Sequence, residues 1–271
     1  MNKAAAFCPA YLTGIFTIEK GDAAGAGFSI DRGLTTTVSE AMAGSTKILI
    51  NGHESPAPVS QVVLQKFQVR CGKVGVLLAE HRTDLPIGFG LGMSAAGALS
   101  LSLALNELLG TGLTRQECVK IAHDADVECG TGLSGVDAAA IGGILARRSV
   151  KDGPVQLPFE EKGLELAFFA PIRTSTVVRS EEWRKKVNAA GEAALASLFS
   201  HQDWNGFLAA SREFAAGSGL ADWCRREMRQ NPRASMAMLG QTLFSDMKMM
   251  LLSQPKSIMS AKTCEGAAGL V

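Results

Sequence analysis

Pro86-Ile87-Gly88-Phe89-Gly90-Leu91-Gly92-Met93-Ser94-Ala95-Ala96 decides how this chain is read. Glycines at three alternate positions are followed by a hydroxyl and small residues. The run Gly97–Leu109 then alternates Leu with Ala and Ser, contains no Pro and stops at Gly110. That pattern predicts a buried helix of ordinary length. Glycines ahead of a helix N-terminus let backbone N–H groups close on an anion, and the positive end of the helix dipole favours phosphate there. Ser94, in the first turn, is placed to offer a hydroxyl to a phosphate oxygen or to Mg²⁺. The stretch is not a P-loop, since no Lys follows the last glycine. It fits a dinucleotide fingerprint poorly, because the third glycine is wrongly spaced. A packed glycine turn before a core helix is the alternative reading of these residues alone.

The rest of the chain bounds the function. With 271 residues, 46% hydrophobic and 20% charged, it can bury a sizeable core as one large or two modest domains. The formal net charge is +1 and no basic block occurs, which argues against nucleic acid as the main partner. Nothing reaches the ~18 consecutive apolar residues of a membrane helix, and Pro9 cuts the first apolar segment too short for a signal core. A cytoplasmic protein is therefore expected. Six scattered cysteines without a Cys-x-x-Cys pair read as reduced packing thiols, and the four histidines show no zinc spacing.

Ala4–Cys8 and Tyr11–Ile18 read as two strands broken at Pro9, with a loop over Lys20–Gly27. Phe28–Ile30 and Leu34–Val38 follow as strands, with Asp31-Arg32-Gly33 as a turn between them. Thr46–Ile50 ends in the tight-turn pair Asn51-Gly52. Val59–Phe67 reads as helix and Val69–Glu80 as a strand. A strand-rich half before one buried helix makes the fold class α+β. Thr114-Arg115-Gln116-Glu117 is a capping box opening another helix. That helix runs into Asp126 and Glu128, then a Gly/Ser loop to Asp137. Phosphoryl transfer to an alcohol needs a carboxylate for Mg²⁺ and another to orient the hydroxyl, and these acids suit that chemistry. A solvated helix end with a capping turn is their plainer reading. Ala138–Ala146, with Gly142-Gly143, reads as a small-residue strand leading to Arg147-Arg148. Gly153-Pro154 and Pro158 mark a boundary, dividing the chain into 1–155 and 156–271. Leu164–Ala170 reads as a strand, Trp183–Phe199 and Asp203–Phe214 as amphipathic helices, and Met236, Met238, Met247, Met249 and Met250 as core fillers.

Pro-x-Gly-x-Gly-Leu-Gly-x-Ser-Ala-Ala at Pro86–Ala96 resembles the phosphate motif of the galactokinase, homoserine kinase, mevalonate kinase and phosphomevalonate kinase (GHMP) superfamily. Met93, together with Pro9-Ala10-Tyr11-Leu12-Thr13-Gly14, Gly25-Ala26-Gly27-Phe28, Ala125–Leu133 and Ser235–Gly240, resembles the archaeal pantoate kinase branch. That branch usually carries Pro-Gly-His and Gly-Ser-Arg-Gly-Ala-Gly, where this chain has Pro9-Ala10-Tyr11 and Asp22-Ala23-Ala24-Gly25-Ala26-Gly27. The resemblance implies a two-domain α+β fold. Its N-terminal half would be like the second domain of ribosomal protein S-five and its C-terminal half ferredoxin-like. It implies an ATP- and Mg²⁺-dependent kinase acting on a small alcohol or hydroxy acid, pantoate foremost, and a homodimer is compatible with it. Pro86, Gly88, Gly90, Leu91, Gly92, Met93, Ser94, Ala95 and Ala96 would cradle the phosphates. Ser94 and Asp126 would hold Mg²⁺. Glu128 is the reserve ligand, although it points about 200° away around the helix. Ser134-Gly135-Val136-Asp137 is similar to the mevalonate kinase loop, so Asp137 would orient or deprotonate the hydroxyl. Tyr11, Gly25, Gly27, Gly132 and Ser134 would border the substrate, and Arg147 or Arg148 would take a carboxylate. The tail Thr263–Gly269 is a degenerate trace of the third glycine motif. A non-catalytic nucleotide- or metabolite-binding relative, and a decarboxylase relative, are the competing expectations.

Overall fold

A computed structural model describes residues 2–19, 22–72, 74–172, 177 and 180–271. Its spine is an antiparallel pair, β1 (Lys3–Glu19) and β2 (Asp22–Glu40), far longer than the sequence pattern predicts. Pro9 does not break β1. It sits where the pairing shifts register before Tyr11, a bulge that tolerates the missing N–H. Asp31-Arg32-Gly33 is not a turn either, because Gly33 lies opposite Pro9 and any Cβ on it would collide with the Cys8 carbonyl. The expected loop is strand from Asp22 to Gly27, while Lys20 and Gly21 lie outside the described residues. Small residues that read as loop are here because two strands approach closely.

The remaining elements are β3 (Lys47–Ile50), β4 (His53–Glu54), α1 (Pro58–Cys71), β5 (Leu77–Arg82), α2 (Met93–Leu109), α3 (Arg115–Cys129) and α4 (Gly135–Ile141). They are followed by β6 (Ile144–Arg147), β7 (Val155–Gln156), β8 (Gly163–Pro171), α5 (Glu181–Ser200), α6 (Trp204–Ser218) and α7 (Arg225–Gln230). β9 (Ala234–Ala237), β10 (Gly240–Ser245), β11 (Ser257–Lys262) and β12 (Gly269–Leu270) close the chain. One sheet runs β12-β1-β2-β5-β3-β4, with β6 and β7 branching from β2. The other runs β11-β8-β10-β9. The α+β class expected from the sequence is the one observed.

Several boundaries differ from the sequence reading. Val69–Cys71 stays helical, and the following strand is Leu77–Arg82. Ala138–Ile141 is helix, and the strand begins only after Gly142 and Gly143, both at positive φ. The Asn51-Gly52 turn is present, with φ of 50° and 82°. Met236, Met238 and Met249 are buried, whereas Met247 and Met250 are surface residues. The tail does not reach the cavity described below. It returns to pair β12 with β1, and the Ala268 N–H donates to the Ala139 carbonyl.

The core is continuous between the sheets. Phe28 on β2 meets Trp204, Phe207 and Phe244 edge-on, at centroid distances of 5.3, 5.6 and 5.1 Å. Such pairs add about 0.5–1.5 kcal/mol each beyond their buried area. α2 packs on β1 and β2 and is flanked by α1, α3 and α4. Twelve of its 17 residues are buried, which is why a helix of Leu, Ala and Ser lies there. Its N-terminus is the point on which the site is built.

Candidate active site

The glycine loop ends at Gly92, which sits in the left-handed region with φ 66° and caps α2 without any side-chain hydrogen bond. No acidic residue occupies the first turn of α2, so its free amides keep their positive potential. The loop is held from behind by the second sheet. The Ile172 N–H donates to the Gly88 carbonyl at 3.1 Å, and the Thr242 hydroxyl donates to the Phe89 carbonyl at 2.7 Å. Gly90 requires glycine twice over. Its φ is +80°, and a Cβ would lie 2.8 Å from the Gly240 nitrogen.

This loop forms one wall of a cavity of about 600 Å³. Gly88, Gly90, Leu91, Gly92, Met93, Ser94 and Ala95 line it as expected. Pro86 and Ala96 do not, and Ala96 is turned fully into the core. Ile50 and Ser55–Ser60, the turn into α1, form a mostly apolar end. The other end is lined by Tyr11, Thr13, Phe16, Ala23, Ile172, Met238 and Leu239. Between them stand Asp126, Gly132 and Ser134.

Asp126 is 3% exposed. Its Oδ1 accepts from the Ser94 hydroxyl at 2.6 Å and from the Thr131 hydroxyl at 2.5 Å. Oδ2 has no hydrogen-bond partner among the described residues. Burial pushes this carboxyl above the ordinary range, and the bonds from Ser94 and Thr131 pull the other way. Gly132 gives the carboxylate its room, since a Cβ at that position would strike Oδ2. A buried carboxylate beside a hydroxyl, with one oxygen unpartnered, is a hard-oxygen donor set that fits Mg²⁺ completed by phosphate and water. Three or more His, Cys, Asp or Glu side chains gathered for a metal do not occur among the described residues. Thr131 was missed in the sequence; its position between two loop glycines gave no sign that it reaches back to Asp126.

Other expected residues lie elsewhere. Glu128 points to the opposite side of α3, pairs with Lys66 at 3.0 Å and does not line the cavity. Asp137, in the first turn of α4, is half exposed and does not line the cavity. Its carboxylate binds His123 Nδ1 at 2.7 Å and holds that imidazole's pKa above the usual value. Arg147 clamps the hairpin end, donating to Asp22 at 2.9 Å and to the carbonyls of Ala23, Val150 and Asp152. Arg148 lies 4.5 Å over the Phe199 ring. Neither arginine reaches the cavity. Gly25 and Gly27 also stand outside it. They let β2 close on the Ile15 carbonyl and on the Tyr11 ring. Tyr11 itself does line the cavity, and its N–H donates to the Leu91 carbonyl. Burial raises the Tyr11 phenol pKa, so its hydroxyl stays protonated.

Comparison with known proteins agrees with this geometry. The model of the GHMP kinases N terminal domain matches residues 59–143, a span that contains the glycine loop, α2 and Asp126. The chain is similar to the pantoate kinase of Methanocaldococcus jannaschii, with 30% identity over 93% of this chain and 96% of that one. Among solved structures, it superposes on a phosphotransferase related to the CoA biosynthesis pathway with a TM-score of 0.81 and 22% identity. That alignment covers 100% of this chain and 99% of the other. A homoserine kinase from Cytophaga hutchinsonii matches with a TM-score of 0.71 and 13% identity, covering 100% and 98%. At these identities the structural matches establish the fold alone. A relative aligned along nearly its whole length, and a family model lying over the phosphate-type loop and its carboxylate, place this chain in the GHMP kinase superfamily of ATP-dependent small-molecule kinases.

Proposed function

We propose that this chain is a cytoplasmic kinase that transfers the γ-phosphate of ATP, with Mg²⁺, to the primary hydroxyl of pantoate. The observation that carries the reading is the bonded pair Ser94–Asp126 at the free N-terminus of α2. Support for the acceptor comes from the relatives named pantoate kinase, the first at 30% identity over most of both chains.

The chemistry asks little covalent work of the protein. Amides of the glycine loop and of the first turn of α2 face the phosphates and favour the charge that develops on them. Ser94 and Asp126 are the residues that would hold Mg²⁺, which when bound neutralises phosphate charge. Thr131 fixes the rotamer of Asp126 through the shared Oδ1. The apolar end at Phe16, Met238 and Leu239 suits a branched carbon skeleton, while Tyr11 and Thr13 offer hydroxyls to orient the acceptor. The acceptor oxygen forms the new P–O bond, the β–γ bridge breaks, and ADP leaves with the electron pair. The hydroxyl proton leaves to solvent or phosphate.

A neutral alcohol of similar shape is the second reading. It is favoured by one observation: the arginines expected for a carboxylate are engaged elsewhere. An ADP-release assay with ATP, Mg²⁺ and a panel of small alcohols and hydroxy acids separates the two. Release dependent on pantoate supports the first. Release with a neutral alcohol, and none with pantoate, replaces it.

A further inference from the structure

In the cavity wall, where His81 and Ser60 are both lining residues, lies a buried polar chain that the phosphate chemistry does not use. His81, on β5, is 2% exposed, and its two ring nitrogens are both engaged. Nδ1 lies 2.8 Å from the Thr36 hydroxyl on β2, and Nε2 lies 2.9 Å from the Ser60 hydroxyl in the first turn of α1. Thr36 in turn lies 2.6 Å from the Ser100 hydroxyl on α2, and Ser100 donates to the Ala96 carbonyl at 2.7 Å. For the neutral imidazole that such burial imposes, only one arrangement of protons satisfies every link. Ser100 has spent its proton on Ala96, so it accepts from Thr36. Thr36 then accepts from His81 Nδ1–H, which leaves Nε2 bare to accept from Ser60. The imidazole is therefore the neutral Nδ1–H tautomer. Burial agrees with this, driving its pKa down to about 4.

The ends of this chain matter more than its middle. Ser60 belongs to the turn that lines the apolar end of the cavity, and Ala96 lies two residues beyond Ser94 in the helix that meets the phosphates. α1 begins at Ala57 with φ 34° and no side-chain cap, so its first turn lacks a local anchor. We propose that His81 is a positioning residue, tying the first turn of α1 to the first turn of α2 so that the two walls around the nucleotide keep a fixed spacing. Rigid, fully satisfied buried networks specify one geometry. This inference rests on the ATP-dependent reading above.

The test uses the full chain and ATP as the probe. Asparagine at 81 places an amide near the Nδ1 position and keeps the Thr36 link. Glutamine reaches the Nε2 position and keeps the Ser60 link. Ser60→Ala cuts only the α1 end, and Ser60→Thr restores a hydroxyl there. The expected result is a rise of about tenfold in the dissociation constant for MgATP for His81→Asn and Ser60→Ala, with kcat and the KM for the acceptor nearly unchanged. Ser60→Thr should recover most of the affinity, whereas His81→Gln, which loses the Thr36 link, should weaken MgATP binding as His81→Asn does. A merely structural role would instead lower the melting temperature and the active fraction, hence kcat, with nucleotide affinity constant. That outcome overturns the proposal, as does unaltered MgATP binding in all four variants. A wild-type protein that binds no ATP overturns the kinase reading and this inference with it.

Discussion

The two halves of the cavity are built in opposite ways. The half proposed for the phosphates is one continuous segment, Gly88 to Ala95, with positive-φ glycines and one helix terminus. The half proposed for the acceptor collects side chains from β1, β2, the residue after β8 and the turn between β9 and β10, positions up to 228 residues apart in the chain (Tyr11 to Leu239). Backbone-built sites tolerate little change, because each position has a steric reason. Side-chain-built sites are retuned by single substitutions, and here Tyr11 and Ala23 are such positions.

The largest effect expected from this contrast is at Asp126. Asp126→Asn removes the one carboxylate that lines the cavity among the described residues and should lower kcat on the order of 100-fold or more, read by steady-state ADP release. Gly90→Ala comes next. It forces an L-residue to φ +80° and drives a methyl against Gly240, so MgATP binding should fall at least about tenfold and the melting temperature should drop. Equal activity in Gly90→Ala would break the claim that the phosphate half is backbone-built. Arg148→Ala and Asp137→Asn, by contrast, should change kcat/KM for the acceptor by less than about tenfold, since neither side chain reaches the cavity. A loss at Asp137 matching that at Asp126 would restore the role expected of it from sequence.

These contrasts also explain what could be read in advance. The glycine loop, α2, the capping box at Thr114 and the Asn51-Gly52 turn were legible because each rests on local backbone conformation. Asp126 and Ser94 were legible because a family motif carries them. Strand lengths were not. Pro9, Gly25 and Gly33 look like breakers until a partner strand is present to require a bulge or a close approach. Arg147 and Arg148 looked like carboxylate ligands because a guanidinium fork has several uses. Only the positions of Asp22, the 150–152 carbonyls and the Phe199 ring show which use is made. Thr131 and His81 carried no local signal at all, since their partners lie on other elements or across a loop.

The smallest expected effects are with pH, and two histidines, His81 and His123, differ in sign. His81 is buried neutral, with its pKa lowered to about 4. The unfolded chain therefore binds a proton near the ordinary His value of about 6.5 that the folded chain refuses, and stability falls as pH drops from there towards 4. His123 is the opposite case, raised by the hydrogen bond it donates to the Asp137 carboxylate. Its contribution is fully present below about 6.5 and is lost as pH rises through the folded value. Chemical denaturation across this range, repeated with His123→Gln, should remove only the alkaline component. An acid loss that vanishes in His123→Gln would reverse the assignment.

The central claim is phosphoryl transfer by the Ser94–Asp126 site to a small hydroxy acid. The most direct measurement is transfer of labelled γ-phosphate from ATP to pantoate, followed by phosphorus NMR, in the wild type and in Asp126→Asn. One phosphomonoester formed per ADP in the wild type, and almost none in the variant, is the predicted result. ATP binding without any pantoate-dependent transfer, or transfer undiminished in Asp126→Asn, would contradict it.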